Sequence, residues 1–442
     1  MSFDAASLAA ILDDIRTAAG PPVRYVVGFS GGLDSTVLLH GLVRTGPSVP
    51  VVAVHVDHGL QPAAGQWARH CADFAAGLGV DFELRRVTVD TAAGQGPEAA
   101  AREARYAAFR KILDPGDWLL TGHHGDDQAE TVLLNLMRAS GPTGLGGIRR
   151  CRRFAAGRLV RPLIDATRAD LEAYAARHAL EFVDDPSNRD TELDRNYLRH
   201  EILPRLDARW PGAADRIRQS AALARAAAYL LAELAAVDRG APGERPDRLE
   251  LGGLLSLPAA RQANVLRHAC ADLGLPPPGR IHLEQMLTEL VAARAAAAPL
   301  VAWPGACARR YRDRLYLLSA PDDAPLPDAI PVTAGRVALP ADLGVLEFVP
   351  GADEGLAAGL AEAGLVIRFR RGGERIKTGK QRVTKTLKNL LQEAGVVPWM
   401  RDRLPLVYSG ERLVAVADLW VAADAAARPG IAIRWANRPP ID

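Results

Sequence analysis

The densest chemical signal in the sequence is Ser30-Gly31-Gly32-Leu33-Asp34-Ser35, placed directly after an apolar run at 23–29 and at the start of a helical pattern. Glycines between strand and helix permit positive φ and close approach of a ligand, and the free N–H groups of the helix start form an anion cradle. Phosphate is the expected guest. No Lys-Ser/Thr pair follows the glycines, so the turn is not a Walker A loop, and it lacks the G-x-G-x-x-G spacing of dinucleotide sites. Asp34 would repel phosphate unless Mg²⁺ lay between them, which makes it the candidate metal ligand for a triphosphate. The alternative is an ordinary glycine-rich turn with an Asp near the helix cap. Other polar runs fall at 55–60 (HVDHGL), 101–106 (AREARY), 123–131 (HHGDDQAET), 184–188 (DDPSN) and 195–199 (RNYLR). Asp127 and Glu130, three residues apart at a helix start, would share one face. Asp126 can cap that helix, Arg102 can pair with Glu98 one turn earlier, and His123 and His124 can either ligate metal or hydrogen-bond a ligand.

These residues need a scaffold, and the hydrophobic pattern supplies one. Strands are predicted at 23–29, 51–56, 82–89 and 118–122. Helices are predicted at 36–43, 66–78, 98–112, 127–139 and 168–178. Continuous apolar strands joined by helical crossovers imply a doubly wound α/β domain with a parallel sheet buried on both faces. This catalytic domain is expected over 1–210. A long helix at 214–237 opens a mainly helical region, 211–325, with strands at its end (300–303 and 314–318). A Pro/Asp-rich linker then leads into a small α+β domain, 326–442, with strand-like pieces at 337–339, 366–370, 413–416 and 431–433.

With those motifs in place, the SGGLDS turn resembles the pyrophosphate-loop ATP hydrolases (adenine nucleotide alpha-hydrolase-like fold), which split ATP between its α and β phosphates. The remaining runs are similar to those of the tRNA(Ile)-lysidine synthetase family over residues 22–205. Residues 385–393 (KTLKNLLQE) and 397–406 (VPWMRDRLPL) resemble the C-terminal domain of its longer members. The resemblance implies a carbon–nitrogen ligase that uses ATP and Mg²⁺. It would adenylate the C2 oxygen of cytidine 34 in a CAU anticodon and let L-lysine displace AMP, changing codon reading from AUG to AUA.

On that reading Ser30, Gly31, Gly32, Leu33, Asp34, Ser35, His55, Arg105 and His123 bind ATP, with Asp34 also on the metal. Asp127 and Glu130 grip or deprotonate the lysine ammonium, and Arg105 steadies phosphate charge as it develops. Asp34, Arg105, Asp127 and Glu130 are the expected catalytic set. Gly125 stands where many family members carry Ala, and is expected to loosen the helix start slightly.

The chain's 442 residues carry 48% hydrophobic residues and a net charge of +2. That length suits several domains, and the composition excludes a disordered or fibrous chain. The acidic N-terminal segment is unlike a signal peptide, so a cytoplasmic location is expected. Near-neutral charge argues against nucleic acid until it is resolved locally. Residues 148–161 hold six Arg and no acid, 195–225 seven Arg against three acids, and 366–403 eleven Lys/Arg against three acids. Such stretches suit phosphate neutralisation, with Arg195, Asn196, Arg199, Arg205, Lys385, Lys388 and Arg401 as expected tRNA contacts. Tyr197 reads as a core residue, the alternative being stacking on a splayed anticodon base. Cys71, Cys151, Cys270 and Cys307 form no C-x-x-C pair, which disfavours a tRNA thiolase of the same fold. A nucleotide-gated RNA-binding protein without turnover leaves the four catalytic candidates unexplained. Monomer and homodimer both remain open.

Overall fold

The computed structural model describes residues 3–59, 63–89, 97–240, 245–291, 299–320, 324–379 and 385–442. The chain forms two compact units, Met1–Leu230 and Leu231–Asp442.

In the first unit the elements run α1 (Ala5–Ala19), β1 (Tyr25–Gly28), α2 (Leu33–Arg44), β2 (Val51–Asp57), α3 (Ala64–Gly77), β3 (Asp81–Arg86), α4 (Pro97–Ile112) and β4 (Trp118–Leu120). They continue with α5 (Gly125–Met137), the short α6 (Pro142–Leu145), β5 (Cys151–Phe154), β6 (Gly157–Val160) and α7 (Arg168–Arg177). The sheet order is β3-β2-β1-β4-β6-β5, with only β5 antiparallel to its neighbour. Alternate residues of the inner strands β2, β1, β4 and β6 enter two separate cores. Tyr25, Val27, Ala53, Trp118, Leu120 and Val160 pack with α1, α2, α3 and α7, whereas Val26, Val52, Val54, Leu119 and Leu159 pack with α4 and Phe154. Burial on both faces is why the strands read as unbroken apolar runs.

The expected strands and helices of this unit are present. The hairpin β5–β6 was not foreseen, because Arg152, Arg153 and Arg158 interrupt any apolar run there. The edge strand β5 tolerates Arg152 and Arg153 on its exposed side, and they in turn guard it against further pairing. After α7 come short helical segments, Asp194–Tyr197 and Leu203–Arg209, separated by a π-helical stretch Leu198–Ile202. Tyr197 proves to be 48% exposed, not a core residue. The helix Ala213–Arg239 follows; by length and composition alone it is long and apolar enough to cross a membrane.

The second unit holds two cores. Residues 248–319 form helices packed on a four-stranded antiparallel sheet, around Val265, Leu266, Cys270, Met286 and Leu315. Two of its strands, Leu300–Trp303 and Arg314–Ser319, lie where they were expected. Arg248–Glu250 and Ala306–Tyr311 are additional, so this region is less purely helical than its Ala/Leu content implied. Residues 330–436 form two five-stranded antiparallel sheets around Leu346, Ile367, Leu391, Leu406 and Val414.

Candidate active site

Chain order reverses between β1 and β4, which are hydrogen-bonded neighbours although β2 and β3 intervene in sequence. Such a reversal opens a crevice at the carboxyl ends of the strands. Ser30–Ser35 leaves β1 and His123–Thr131 leaves β4, so the two strongest motifs meet there.

The turn after β1 is held by its own hydroxyls. Ser30 N–H donates to Ser35 Oγ at 3.2 Å, Ser35 Oγ donates to the Gly32 carbonyl at 3.1 Å, and Thr36 Oγ1 donates to the Gly31 carbonyl at 3.3 Å. Val183 N–H reaches the Gly31 carbonyl from outside at 2.8 Å. Gly31 has φ +83°, and a Cβ there would lie 2.8 Å from Cys71 Sγ. The N-terminal N–H groups of α2 receive no side-chain cap, which leaves them for a ligand. Gly122, past β4, lets the two motifs close on each other: a Cβ would sit 2.9 Å from the Asp34 carbonyl carbon.

Asp34 has a half-buried side chain whose Oδ1 is buried and unpartnered. Burial raises its pKa, the nearby Asp127 adding to the effect and His124 opposing it. A buried carboxylate oxygen without a donor is what a cation would satisfy, so the site fits Mg²⁺. Among the described residues no three His, Cys, Asp or Glu side chains converge as a metal cage. An ion here would be held by Asp34 together with phosphate and water oxygens, the usual habit of Mg²⁺.

His124 joins the motifs. It caps α5: its Nδ1, when the ring is neutral, accepts the Asp126 N–H at 3.2 Å, while its backbone N–H donates to Asp127 Oδ2 at 2.9 Å. Its Nε2 stands 3.7 Å from both Asp34 Oδ2 and Asp127 Oδ2. Burial disfavours the imidazolium, but Asp126, Asp127 and Asp34 outweigh it and raise the pKa. The capping role expected of Asp126 at α5 thus belongs to His124. Asp126 instead accepts the Arg168 N–H, the first of α7, at 2.7 Å. His123 behaves differently. Burial, opposed by Asp127 and reinforced by Arg161, Arg102 and Arg195, holds its pKa well down, so it is a neutral hydrogen-bonding group. Its Nδ1 lies 3.0 Å from Thr121 Oγ1.

Asp127 and Glu130 share a face of α5 as expected, but they are not equally free. Glu130 is completely buried and accepts from Arg195 Nε at 2.8 Å and Arg199 Nε at 2.6 Å. Arg199 Nη2 also donates to Asp127 Oδ1 at 3.2 Å, and Arg195 Nη2 to Thr131 Oγ1 at 3.2 Å. Burial works against the Asp127 carboxylate, yet His124, Arg195 and the His124 backbone N–H hold it well below the usual range. Arg195 and Arg199, read from sequence as tRNA contacts, are therefore the counter-ions of the two carboxylates. The available signal was their i, i+4 spacing, which matches the i, i+3 spacing of Asp127 and Glu130.

Other expected contacts divide similarly. Asn196 is buried, donating to the Ser187 and Asp190 carbonyls at 2.9 and 2.8 Å. Arg401 donates to the Val396 carbonyl at 2.9 Å and the Tyr311 hydroxyl at 3.1 Å. Lys385 pairs with Glu393 at 2.9 Å and Arg205 with Glu201 at 3.0 Å, both at the surface, and Lys388 is exposed. Arg105 lies over the Tyr106 ring, 5.9 Å from its centroid, and together with burial depresses the pKa of His58 just past β2. Arg102 also stacks on Tyr106; the Glu98 side chain expected to pair with it lies outside the described residues. Buried His55 engages the Phe29 carbonyl through Nδ1 at 2.9 Å, behind the turn. Burial pushes the Cys71 thiol up to about 12 and Cys270 to about 11, so neither is a ready nucleophile.

Gly125 does more than loosen a helix. A Cβ would meet Arg218 Nη1 and lie 2.9 Å from the Ala166 carbonyl, and that guanidinium donates to the Asp165 carbonyl at 3.0 Å. Gly125→Ala is expected to cost about 1–3 kcal/mol through overpacking. Urea unfolding checks this, and Arg218→Ala in the same chain should recover part of the loss; a single variant as stable as the parent would refute the steric account.

Comparison with known proteins places these features. Residues 5–206 match the family model described as a PP-loop domain, 249–316 that of the TilS substrate binding domain, and 365–435 that of the TilS substrate C-terminal domain. The chain is 46% identical over 417 residues to a tRNA(Ile)-lysidine synthase of Alkalilimnicola ehrlichii, covering 93% of each. It is 40% identical to that of Methylococcus capsulatus, covering 96% of this chain and 99% of the relative. It is also 40% identical to that of Xanthomonas campestris pv. campestris, covering 93% and 95%.

Proposed function

The chain belongs to the tRNA(Ile)-lysidine synthase family, and from that premise we propose how its own residues carry the reaction. ATP adenylates the C2 oxygen of cytidine 34 in the CAU anticodon of tRNA(Ile), releasing pyrophosphate. The amine of L-lysine then attacks C2, and AMP leaves with the oxygen. The observation that carries the assignment of roles is the convergence of Asp34, His124 and Asp127 where the first and fourth strands end.

The Ser30–Ser35 turn cradles the phosphates through the open N–H groups of α2, and Arg105, on α4, is assigned to the charge on the phosphoryl group. Mg²⁺ bound at Asp34 would neutralise charge on the departing pyrophosphate. His123, neutral, offers a hydrogen bond and no charge. Asp127 grips the lysine ammonium. A carboxylate held so far below its usual pKa is a good anchor for a cation and a poor proton acceptor, so its part is binding. Glu130 keeps Asp127 in place through the shared guanidiniums. We assign catalysis to residues 1–210 and most tRNA contacts to 211–325 and 326–442; Lys385 and Lys388, together with Arg205 at the end of the catalytic segment, are exposed enough to serve. Acting on tRNA, the enzyme would work in the cytoplasm.

The test is incubation of the protein with bacterial tRNA, ATP–Mg²⁺ and radiolabelled lysine. Label is expected in tRNA(Ile). Entry of cysteine sulfur without lysine would reverse the reading. In the same assay Asp127→Asn is expected to raise the lysine KM about 10–100-fold, the worth of one hydrogen bond to a charged group, with adenylation partly kept. An unchanged lysine KM would remove Asp127 from the lysine site.

A further inference from the structure

We propose that Arg161, Arg102 and Arg152 form a phosphate subsite beside the active site that takes a backbone phosphate of the bound RNA; this rests on the reading that the chain acts on tRNA. Arg161 follows β6 directly. Val160 is in register with Leu120, and Thr121 N–H donates to the Val160 carbonyl at 3.1 Å, so Arg161 emerges at the same sheet edge as His123, one strand across.

Arg161 is only 5% exposed. Its Nη1 donates to the Arg149 carbonyl at 2.7 Å, but its Nε is buried without a partner. Among the described residues it forms no ion pair. The charged groups that act on it are themselves cationic: Arg152 and Arg102, adding to burial and opposed by Tyr106, hold its pKa below the usual guanidinium value. A buried charge without a counter-ion is costly, and here the surroundings add to that cost.

The rim is built to match. Exposed Arg102 lies with its Cζ 5.1 Å from the centroid of Tyr106, and exposed Arg152 with its Cζ 5.3 Å from the centroid of Phe154. The two rings are buried and meet edge to face at 5.5 Å. An aromatic face orients a guanidinium and leaves its N–H edge for an oxyanion. Arg110, which also lies over the Phe154 ring, pairs with Glu103, and Arg150 pairs with Asp165, whereas among the described residues no ion pair involves Arg102 or Arg152. The ATP phosphates have their own cradle two strands away, at the turn after β1, which favours the RNA backbone as the source of this phosphate.

The experiment is the salt dependence of binding to tRNA with a CAU anticodon, between about 50 and 200 mM KCl, for the wild type and Arg102→Gln/Arg152→Gln. Each lost phosphate contact lowers the slope of log Kd against log salt by about 0.7–0.9, so the double variant, losing this one phosphate, should lose up to about 0.9 units of slope. Its affinity for ATP–Mg²⁺, titrated without tRNA, should be unchanged. Arg161→Gln should flatten the slope as well; if that variant does not fold, the exposed pair decides. Weakened ATP binding with an unchanged tRNA slope would move the phosphate to the nucleotide and overturn the assignment to RNA. No change in either overturns the subsite. Wild type that fails to transfer lysine to this tRNA fails the functional reading, whereas wild type that transfers it beside variants of unchanged slope fails only the subsite.

Discussion

Asp34→Ala is expected to abolish pyrophosphate release and AMP formation, by at least about 10²–10³-fold in kcat/KM, while leaving the protein as stable as the parent or slightly more so. The two halves have one cause. Asp34 Oδ1 is buried without a donor, and burial raises the carboxyl's pKa, so the ionised side chain is a burden on the folded state. The ring nitrogen facing it, His124 Nε2, is 3.7 Å away, too far for a hydrogen bond. A residue kept at a cost to the fold is characteristic of a site shaped for its ligand. Asp34→Asn, which keeps the volume and loses the charge, should behave like the alanine variant. The measurements are pyrophosphate release with saturating tRNA and lysine, and thermal unfolding in the absence of ligands. Near-normal adenylation would remove the metal role, and a marked fall in Tm would show that Asp34 is structural.

Sequence made the catalytic unit legible because its information is local. Two-sided burial writes itself as continuous apolar runs at 25–28 and 51–54, and phosphate chemistry writes itself as SGGLDS at the junction of strand and helix. Charge partners across the fold are not written that way. Arg195 and Glu130 are 65 positions apart, and nothing local in RNYLR says whether its guanidiniums face water or a buried carboxylate. The same residues therefore read as an RNA surface, when burial makes them a scaffold. His124 was hidden for another reason: a histidine cap looks in sequence like its neighbour His123, and only the fold separates a ring standing between Asp34 and Asp127 from one whose burial keeps it neutral. The net charge of +2 misleads similarly, since averaging conceals the six arginines of 148–161.

Glu130→Ala is expected to behave in the opposite manner to Asp34→Ala, losing stability and activity together. Glu130 is fully buried, and its two oxygens take Nε–H bonds from Arg195 at 2.8 Å and Arg199 at 2.6 Å. Removing it leaves two largely buried guanidiniums to share the single Asp127 carboxylate, and breaking a buried pair in this way costs about 3–5 kcal/mol. Activity falls with it because Arg199 also holds Asp127 Oδ1, so a displaced Arg199 misplaces the carboxylate proposed to grip lysine. Removing Arg199 as well, in Glu130→Ala/Arg199→Ala, should destabilise less than the two single losses added, because one of the stranded charges is then gone. Urea unfolding of the four proteins of this cycle gives the coupling directly, and lysine KM in each gives the functional half. A Glu130→Ala protein as stable as the parent, with only its lysine KM raised, would make Glu130 a direct lysine ligand and not the buried support of Asp127.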